Sequence, residues 1–347
     1  MRVPSVAVVL VVLMVSGARA QEPLKVGAIT AAAGTMAFGT LEVAPRGGDQ
    51  GTTIPVTIIN GAKPGPILAL TAGVHGQEYP PVLALQRLRT TIDPATLSGA
   101  VIMVHVANMP SYLARTIYYS PADGKNLNRV FPGRTDGTLS ERIADVITRE
   151  VIERATHVVD LHCGDGNESL RPYSYWITTG RPDVADAGRQ MALAFGLDRI
   201  IVDRERPLDP KASLYLSNTG VTRGKPALTI ESGGMAQSVD ESIEQIERGV
   251  AGVLRHLKMR PDGPAPVAKP IFFERSEVVR SNFTGIFYGT VAKGQTVAAG
   301  ATIGRVTDFH GQMLEEFKAP FAGEVLYIIG TPAMNKGEPV AFIAAIR

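Results

Sequence analysis

Several short stretches of this chain place a residue able to do chemistry directly after an apolar run. In the first, Pro66-Ile67-Leu68-Ala69-Leu70 leads into Thr71-Ala72-Gly73-Val74-His75-Gly76-Gln77-Glu78. An imidazole and a carboxylate three residues apart can close on one cation, and both donors suit Zn2+. Taken alone, a His-x-x-Glu is equally well an unrelated surface pair. In the second, Val158-Val159-Asp160-Leu161-His162 ends on a further imidazole. His75, Glu78 and His162 together would hold one zinc per chain and leave a coordination position open. Asp160, on the same face of its strand as His162, could orient that ligand from behind or form a structural salt bridge. Cys163 should face the other way and reads as a small buried residue. In the third, Ala227-Leu228-Thr229-Ile230-Glu231 precedes Ser232-Gly233-Gly234. A carboxylate there could take a proton from an attacking water and pass it to a leaving amine. The plainer alternative is an acid near a helix N-terminus, since Ser238-Val239-Asp240-Glu241 opens a helix running to about Leu257.

A long polar segment, residues 112–137, carries Asn126-Leu127-Asn128-Arg129. Loops of this length inside a compact domain are usually functional. Asn128 and Arg129 could grip a substrate carboxylate with a planar fork and an amide donor, or Arg129 could sit in a surface ion pair.

The elements that must position these residues follow from pattern. The run before Thr71 reads as a buried strand, and Pro80 to Thr91 as a helix with proline in its first turn. Gly73 and Gly76 free the backbone between them. Residues 25–60 are rich in strand formers broken by turns, with Pro55 pointing to an edge strand or a strand start. Ala100 to Ala107 is another buried strand, and Thr138 to Ala155 a helix with Ser140 as cap. Strands alternating with helices imply βαβ units and a mixed, mostly parallel sheet. His75, His162 and Glu231 then all lie beyond the carboxyl ends of strands, where open α/β sheets bind ligands. That agreement favours the chemical reading over the plainer ones.

Residues 1–20 fit a leader removed on export: Arg2, an apolar run from Val6 to Val15, then Ala18-Arg19-Ala20. That run is short for a membrane span, which needs about 20 residues. The expectation is a secreted or periplasmic protein with no membrane association after cleavage. Cys163 is the only cysteine, so no disulfide can form within the chain. A net charge of +2 with interspersed signs argues against nucleic acid as a partner. A linker, residues 259–270, contains Pro261-Asp262-Gly263-Pro264-Ala265-Pro266 and separates a domain of residues 21–258 from a small β-domain of residues 271–347. The latter, short strands between regularly spaced glycines, looks like a barrel-sandwich hybrid of the lipoyl/biotinyl type. Lys318 lacks the flanking pattern of a carried cofactor. His105, His256 and His310 have no partners at ligand spacing.

In this order, Gly73-Val74-His75-Gly76-Gln77-Glu78, Asn126-Leu127-Asn128-Arg129, Asp160-Leu161-His162 and Thr229-Ile230-Glu231 resemble the succinylglutamate desuccinylase/aspartoacylase family, a branch of the zinc carboxypeptidase-like hydrolases. The likeness spans roughly Leu41 to Leu257. It implies a three-layer α/β/α zinc-hydrolase domain, with zinc on His75, Glu78 and His162. It further implies Glu231 as general base and then acid, and Asn128 and Arg129 on the substrate carboxylate. The family sets another arginine several residues before its Asn-Arg pair; here that vicinity reads Tyr118-Tyr119-Ser120-Pro121-Ala122. Arg115 and Arg223 are the available substitutes. An export leader is unlike the cytosolic members.

The reading is an exported zinc amidohydrolase that cleaves an N-acyl amino acid or a similar small carboxylated amide through a zinc-activated water. The alternatives are a metallocarboxypeptidase acting on peptides or cell-wall stem peptides, and a zinc-dependent binding protein whose catalysis has lapsed. Retention of Glu231 argues against the last. Whether the chain forms a homo-oligomer is left open.

Overall fold

The computed structural model describes residues 21–346. The expected leader, residues 1–20, lies outside the described residues. A nine-stranded mixed sheet runs through the main domain. Its centre is four mutually parallel strands, in the order Ala227–Glu231, His157–His162, Lys63–Thr71 and Ser98–Val104. Thr52–Asn60 and Thr35–Val43 extend one side antiparallel. On the other side come Tyr173–Ile177, antiparallel to Ala227–Glu231, then Arg199–Asp203 and Ile271–Phe273.

Near-continuous apolar composition makes the central strands two-faced, as a sheet covered by helices on both sides requires. Helices Tyr79–Thr91 and Asp240–His256 pack together on one face, over Leu68, Leu70, Val159 and Leu228. Asp240–His256 presents Ile243, Ile246, Val250, Val253 and Leu254 inward, the spacing of one helical stripe. Helices Leu139–Ile147 and Leu216–Val221 close the other face, over Ala69, Ile102 and Val158. The three-layer α/β/α architecture is the expected one.

Local details differ from the sequence expectation. Thr138, not Ser140, caps the helix after the long loop: the Glu141 carboxylate accepts from the Thr138 N–H at 2.8 Å. Ser140 instead gives its N–H and hydroxyl to Asp123. Pro55 is not on the edge strand, because Thr35–Val43 lies outside it. It lies where the pairing with Ser98–Val104 runs out, and its carbonyl still accepts from the His105 N–H at 3.0 Å, so proline's missing N–H costs the ladder only at its end. Ile271–Phe273 extends the main sheet, and the β-domain therefore begins at Ser276. Phe273 is buried in a small cluster that joins Leu170, Tyr173 and Ile201 to Leu326, Tyr327 and Phe342 of the C-terminal region.

Beyond Ser276 the chain forms two antiparallel sheets around a separate core that includes Phe287, Ile303, Phe317, Val325 and Ile343. Lys318 is exposed and paired with Glu316 at 2.7 Å. The two domains share a sheet: Glu168–Leu170 of the main domain pairs antiparallel with Gly323–Ile329. Among the described residues no helix is long and apolar enough to cross a membrane.

Candidate active site

The four parallel strands end on one edge of the sheet, His157–His162 and Ala227–Glu231 running two residues past Thr71, and that edge carries the site. In the sheet register Thr71 is beside Asp160, and His162 is beside Glu231. Two glycines let the chain turn from Thr71 into the helix opening at Tyr79. Gly73 has φ +66°, and a Cβ on Gly76 would lie 2.2 Å from the Ser111 carbonyl oxygen. The turn carries His75 and Glu78 back over the strand ends.

His75, Glu78 and His162 come together, each offering one donor atom within 4.8 Å of the others. The Glu78 carboxylate lies between the two rings, with Oε1 2.7 Å from His75 Nδ1 and Oε2 2.8 Å from His162 Nδ1. The opposite nitrogens are engaged from outside: His75 Nε2 with Asn126 Oδ1 at 3.1 Å, His162 Nε2 with Asp160 Oδ2 at 3.0 Å. Donation of each Nε2–H outward leaves the Nδ1 lone pairs facing inward, the arrangement metal-binding histidines use. Asp160, for which the sequence left two roles open, is fully buried and acts on His162 directly.

The donor set fits a zinc ion. Two imidazoles and a carboxylate are a common zinc combination. Glu78 Oε2 is buried and accepts no well-aligned hydrogen bond despite the close His162 ring, so an acceptor of high charge density faces the gap between the histidines.

The charges are strongly linked. Burial pushes Glu78 upward, but His162 and His75 hold it down to about 2. Burial lowers His162, yet the Asp160 and Glu78 carboxylates more than compensate and leave it well above its ordinary value. His75 is raised as well, with burial opposed by Glu78. Glu231 is raised well above an ordinary carboxylate by burial; His162 pulls the other way, while Glu78, Glu168 and Asp160 add to the rise. A bound cation would counter that rise. Behind the site, burial lifts Asp165 to about 6 and Glu168 to about 7.

The expected carboxylate grip divides into two parts. Asn128 is buried: its Oδ1 accepts from the Leu216 N–H at 2.8 Å, and its Nδ2 lies 3.3 Å from Asp160 Oδ2 and 3.1 Å from His162 Nε2. Its amide therefore supports the Asp160–His162 pair. Arg129 is exposed, 4.6 Å above the Tyr215 ring, with Nη1 on the Asn128 carbonyl at 2.7 Å. It lines a cavity of about 490 Å3 with Tyr175, Arg206, Tyr215, Glu274 and Phe342.

Neither substitute for the additional arginine reaches this cavity. Arg115 ends the helix Met109–Ala114 and lines a different hollow with Tyr79 and Tyr112. Arg223 is occupied by the Thr219 and Pro210 carbonyls and lies 3.7 Å from Glu153. Arg204, Arg206 and Arg275 also line the cavity, and Arg206 shares the Tyr215 ring with Arg129, 3.8 Å above it and paired with Asp203 at 2.5 Å. The sequence offered no sign of it, because nothing local connects residue 206 to residue 129. Asn126 stood in the motif that drew attention to the loop, but its action on His75 needs the fold. Cys163 is buried, and His105 is held by Thr57 Oγ1 at 2.8 Å, its pKa pushed down to about 4 by burial and by Arg89.

Comparison with known proteins identifies the family. The model of the succinylglutamate desuccinylase/aspartoacylase catalytic domain matches residues 64–257. The chain belongs to this family. An N-alpha-acetyl-L-2,4-diaminobutyric acid deacetylase from Halomonas elongata is 34% identical over 302 residues, 84% of this chain and 86% of the relative. Among solved structures, a succinylglutamate desuccinylase from Silicibacter sp. TM1040 superposes with a TM-score of 0.79 at 26% identity, covering 93% of this chain and all of that one. The product-bound ectoine utilization protein of Ruegeria pomeroyi does so with a TM-score of 0.79 at 28% identity, covering 90% and 95%. Relatives of this family are amide-bond deacylases, and the chain is a hydrolase of that type.

Proposed function

We propose that this deacylase is zinc-dependent, acts on small N-acyl amino acids, and is exported. The observation that carries the reading is the convergence of two histidine Nδ1 atoms on one carboxylate, with both rings oriented from outside and Glu231 on the adjacent strand end. His75, Glu78 and His162 would hold the ion. A zinc ion held there would supply Lewis-acid polarisation of the scissile carbonyl and a lowered pKa of water. Glu231 would take the proton of the attacking water and return it to the leaving nitrogen, from the strand end beside His162. Arg129 binds the substrate carboxylate; it lines the 490 Å3 cavity, whose walls do not include His75, Glu78, His162 or Glu231, so the cavity would take the part of a small molecule remote from the scissile bond. Asn126, Asn128 and Asp160 keep the histidines in the correct tautomer.

The named activity of the Halomonas relative makes acetylated α-amino acids the first substrates to try. The decisive test incubates zinc-loaded protein with a panel of N-acetyl and N-succinyl amino acids and, in parallel, short peptides with free carboxyl termini. Release of free amine from the first set alone is the expected result. Cleavage of the peptides alone would move the assignment to a carboxypeptidase, and no turnover of either would remove the catalytic reading. Export rests on the composition of residues 1–20.

A further inference from the structure

Tyr118 stands in the middle of the long loop with φ +58°, a backbone region that bulky side chains rarely enter. Polar contacts hold it there. Its N–H donates to Asp165 Oδ2 at 3.1 Å, and its hydroxyl lies 2.7 Å from Glu168 Oε1 and 3.1 Å from Asn167 Oδ1. The hydroxyl has one proton, and the shorter contact directs it to Glu168. The other Glu168 oxygen accepts from the Asp165 N–H at 3.1 Å.

Glu168 is in turn fixed by the C-terminal domain. Its strand pairs with Gly323–Ile329, placing Glu168 opposite Ile329, and the Gly330 N–H donates to the Asn167 carbonyl at 2.8 Å. Glu324, from the same strand and buried, takes Arg199 Nε at 3.0 Å and ties the domains further. The grip therefore falls on a segment that starts a few residues after His162.

Tyr118 also reaches the other histidine. Its ring meets His75 edge-on, with centroids 6.2 Å apart. The turn that follows is closed by the Ser120 N–H on the Lys125 carbonyl at 2.9 Å and delivers Asn126 to His75 Nε2.

We propose that Tyr118 is a positioning residue: its hydroxyl latches the loop carrying Asn126 to the segment behind His162, so that the C-terminal β-domain, through Glu168, holds both histidines in register for the metal. The inference rests on the zinc reading above and adds to it a task for the β-domain. The latch needs the hydroxyl and not the bulk of the ring, because Phe would keep the edge contact with His75.

The test is Tyr118→Phe in the full chain, with zinc affinity measured by chelator competition and thermal melting of the metal-free protein followed in parallel. Zinc affinity should fall about 10–100-fold, the range for groups that orient metal ligands from outside. Glu168→Ala should cost a similar factor, and the double variant little more than either, because the two act as one unit. Glu168→Gln keeps an acceptor for the hydroxyl but turns the oxygen that accepts from the Asp165 N–H into a donor, so it should cost clearly less zinc affinity than Glu168→Ala; equal losses in the two would overturn the latch. That comparison also provides a reading if Tyr118→Phe fails to fold. A role in stability alone would lower the melting temperature and leave zinc affinity within about twofold of the original; that outcome overturns the latch, as would fully additive losses. A starting protein that takes up no zinc would overturn both this inference and the proposed function, whereas normal zinc uptake with an unaffected Tyr118→Phe removes the latch alone.

Discussion

On the zinc reading proposed above, the site's charge balance gives metal uptake a pH dependence with a definite sign. Burial tends to discharge His162, but Asp160 at 3.0 Å and Glu78 at 2.8 Å outweigh it and raise the imidazole well above its usual pKa. His75 is raised too. In the metal-free protein near neutral pH, His162 therefore holds a proton on the face where zinc needs a lone pair, and binding must displace it. One unit of pH below a group's pKa corresponds to about 1.36 kcal/mol. Apparent zinc affinity should thus rise about tenfold per pH unit for one displaced proton, and more steeply where His75 is also protonated. The rise should end once pH passes the raised pKa of His162. Replacing Asp160 with Asn removes one anion that retains the proton, so the slope should end at lower pH, although the loss of ring orientation weakens binding overall. Chelator competition from pH 6 to 8.5, corrected for the chelator's own protonation, measures the slope, and proton release in weak buffer counts the protons. An affinity independent of pH over that range, with no protons released, would refute the argument that the histidines are charged in the metal-free site.

Glu231→Gln should keep zinc and lose turnover by about 10²–10⁴-fold, the usual contribution of general acid–base catalysis; full kcat in a zinc-loaded variant would take Glu231 out of the mechanism. Arg129→Ala should mainly raise KM, in line with about 1.5–3 kcal/mol for a charged hydrogen bond, and Lys should rescue poorly because a point charge cannot replace the planar fork. Steady-state kinetics on one good substrate decides this, and an unchanged KM would remove the carboxylate grip. Mature protein from its native host should begin at Gln21; N-terminal sequencing that finds Met1 in a membrane fraction would favour an uncleaved anchor.

What could be read from the sequence was whatever local pattern controls. Apolar runs that end in His162 and Glu231, or turn through glycines to His75 and Glu78, mark strand ends. In a parallel sheet strand ends collect on one edge, so the approach of His75, Glu78 and His162 to one another, with Glu231 alongside, was legible without coordinates. The helix from Asp240 was equally plain, because its stripe repeats within a few turns. Roles that depend on residues distant in sequence were not legible. Asp160 could be a ligand's support or a salt bridge until the fold put it on His162 Nε2. Asn126 and Asn128 are the same residue type two positions apart, yet one meets His75 and the other braces Asp160. Arg115 and Arg223 were plausible by proximity in the chain and face elsewhere, while Arg206 reaches the cavity from a separate strand end. Ile271–Phe273 has the composition of either domain, and only the uncovered edge of the main sheet settles which one it joins. Periodicity carries information over a few residues and specifies which face a side chain takes. Which partner waits on that face is decided by strand order and domain docking, where loops such as residues 112–137 pack by side-chain contacts that no local repeat encodes.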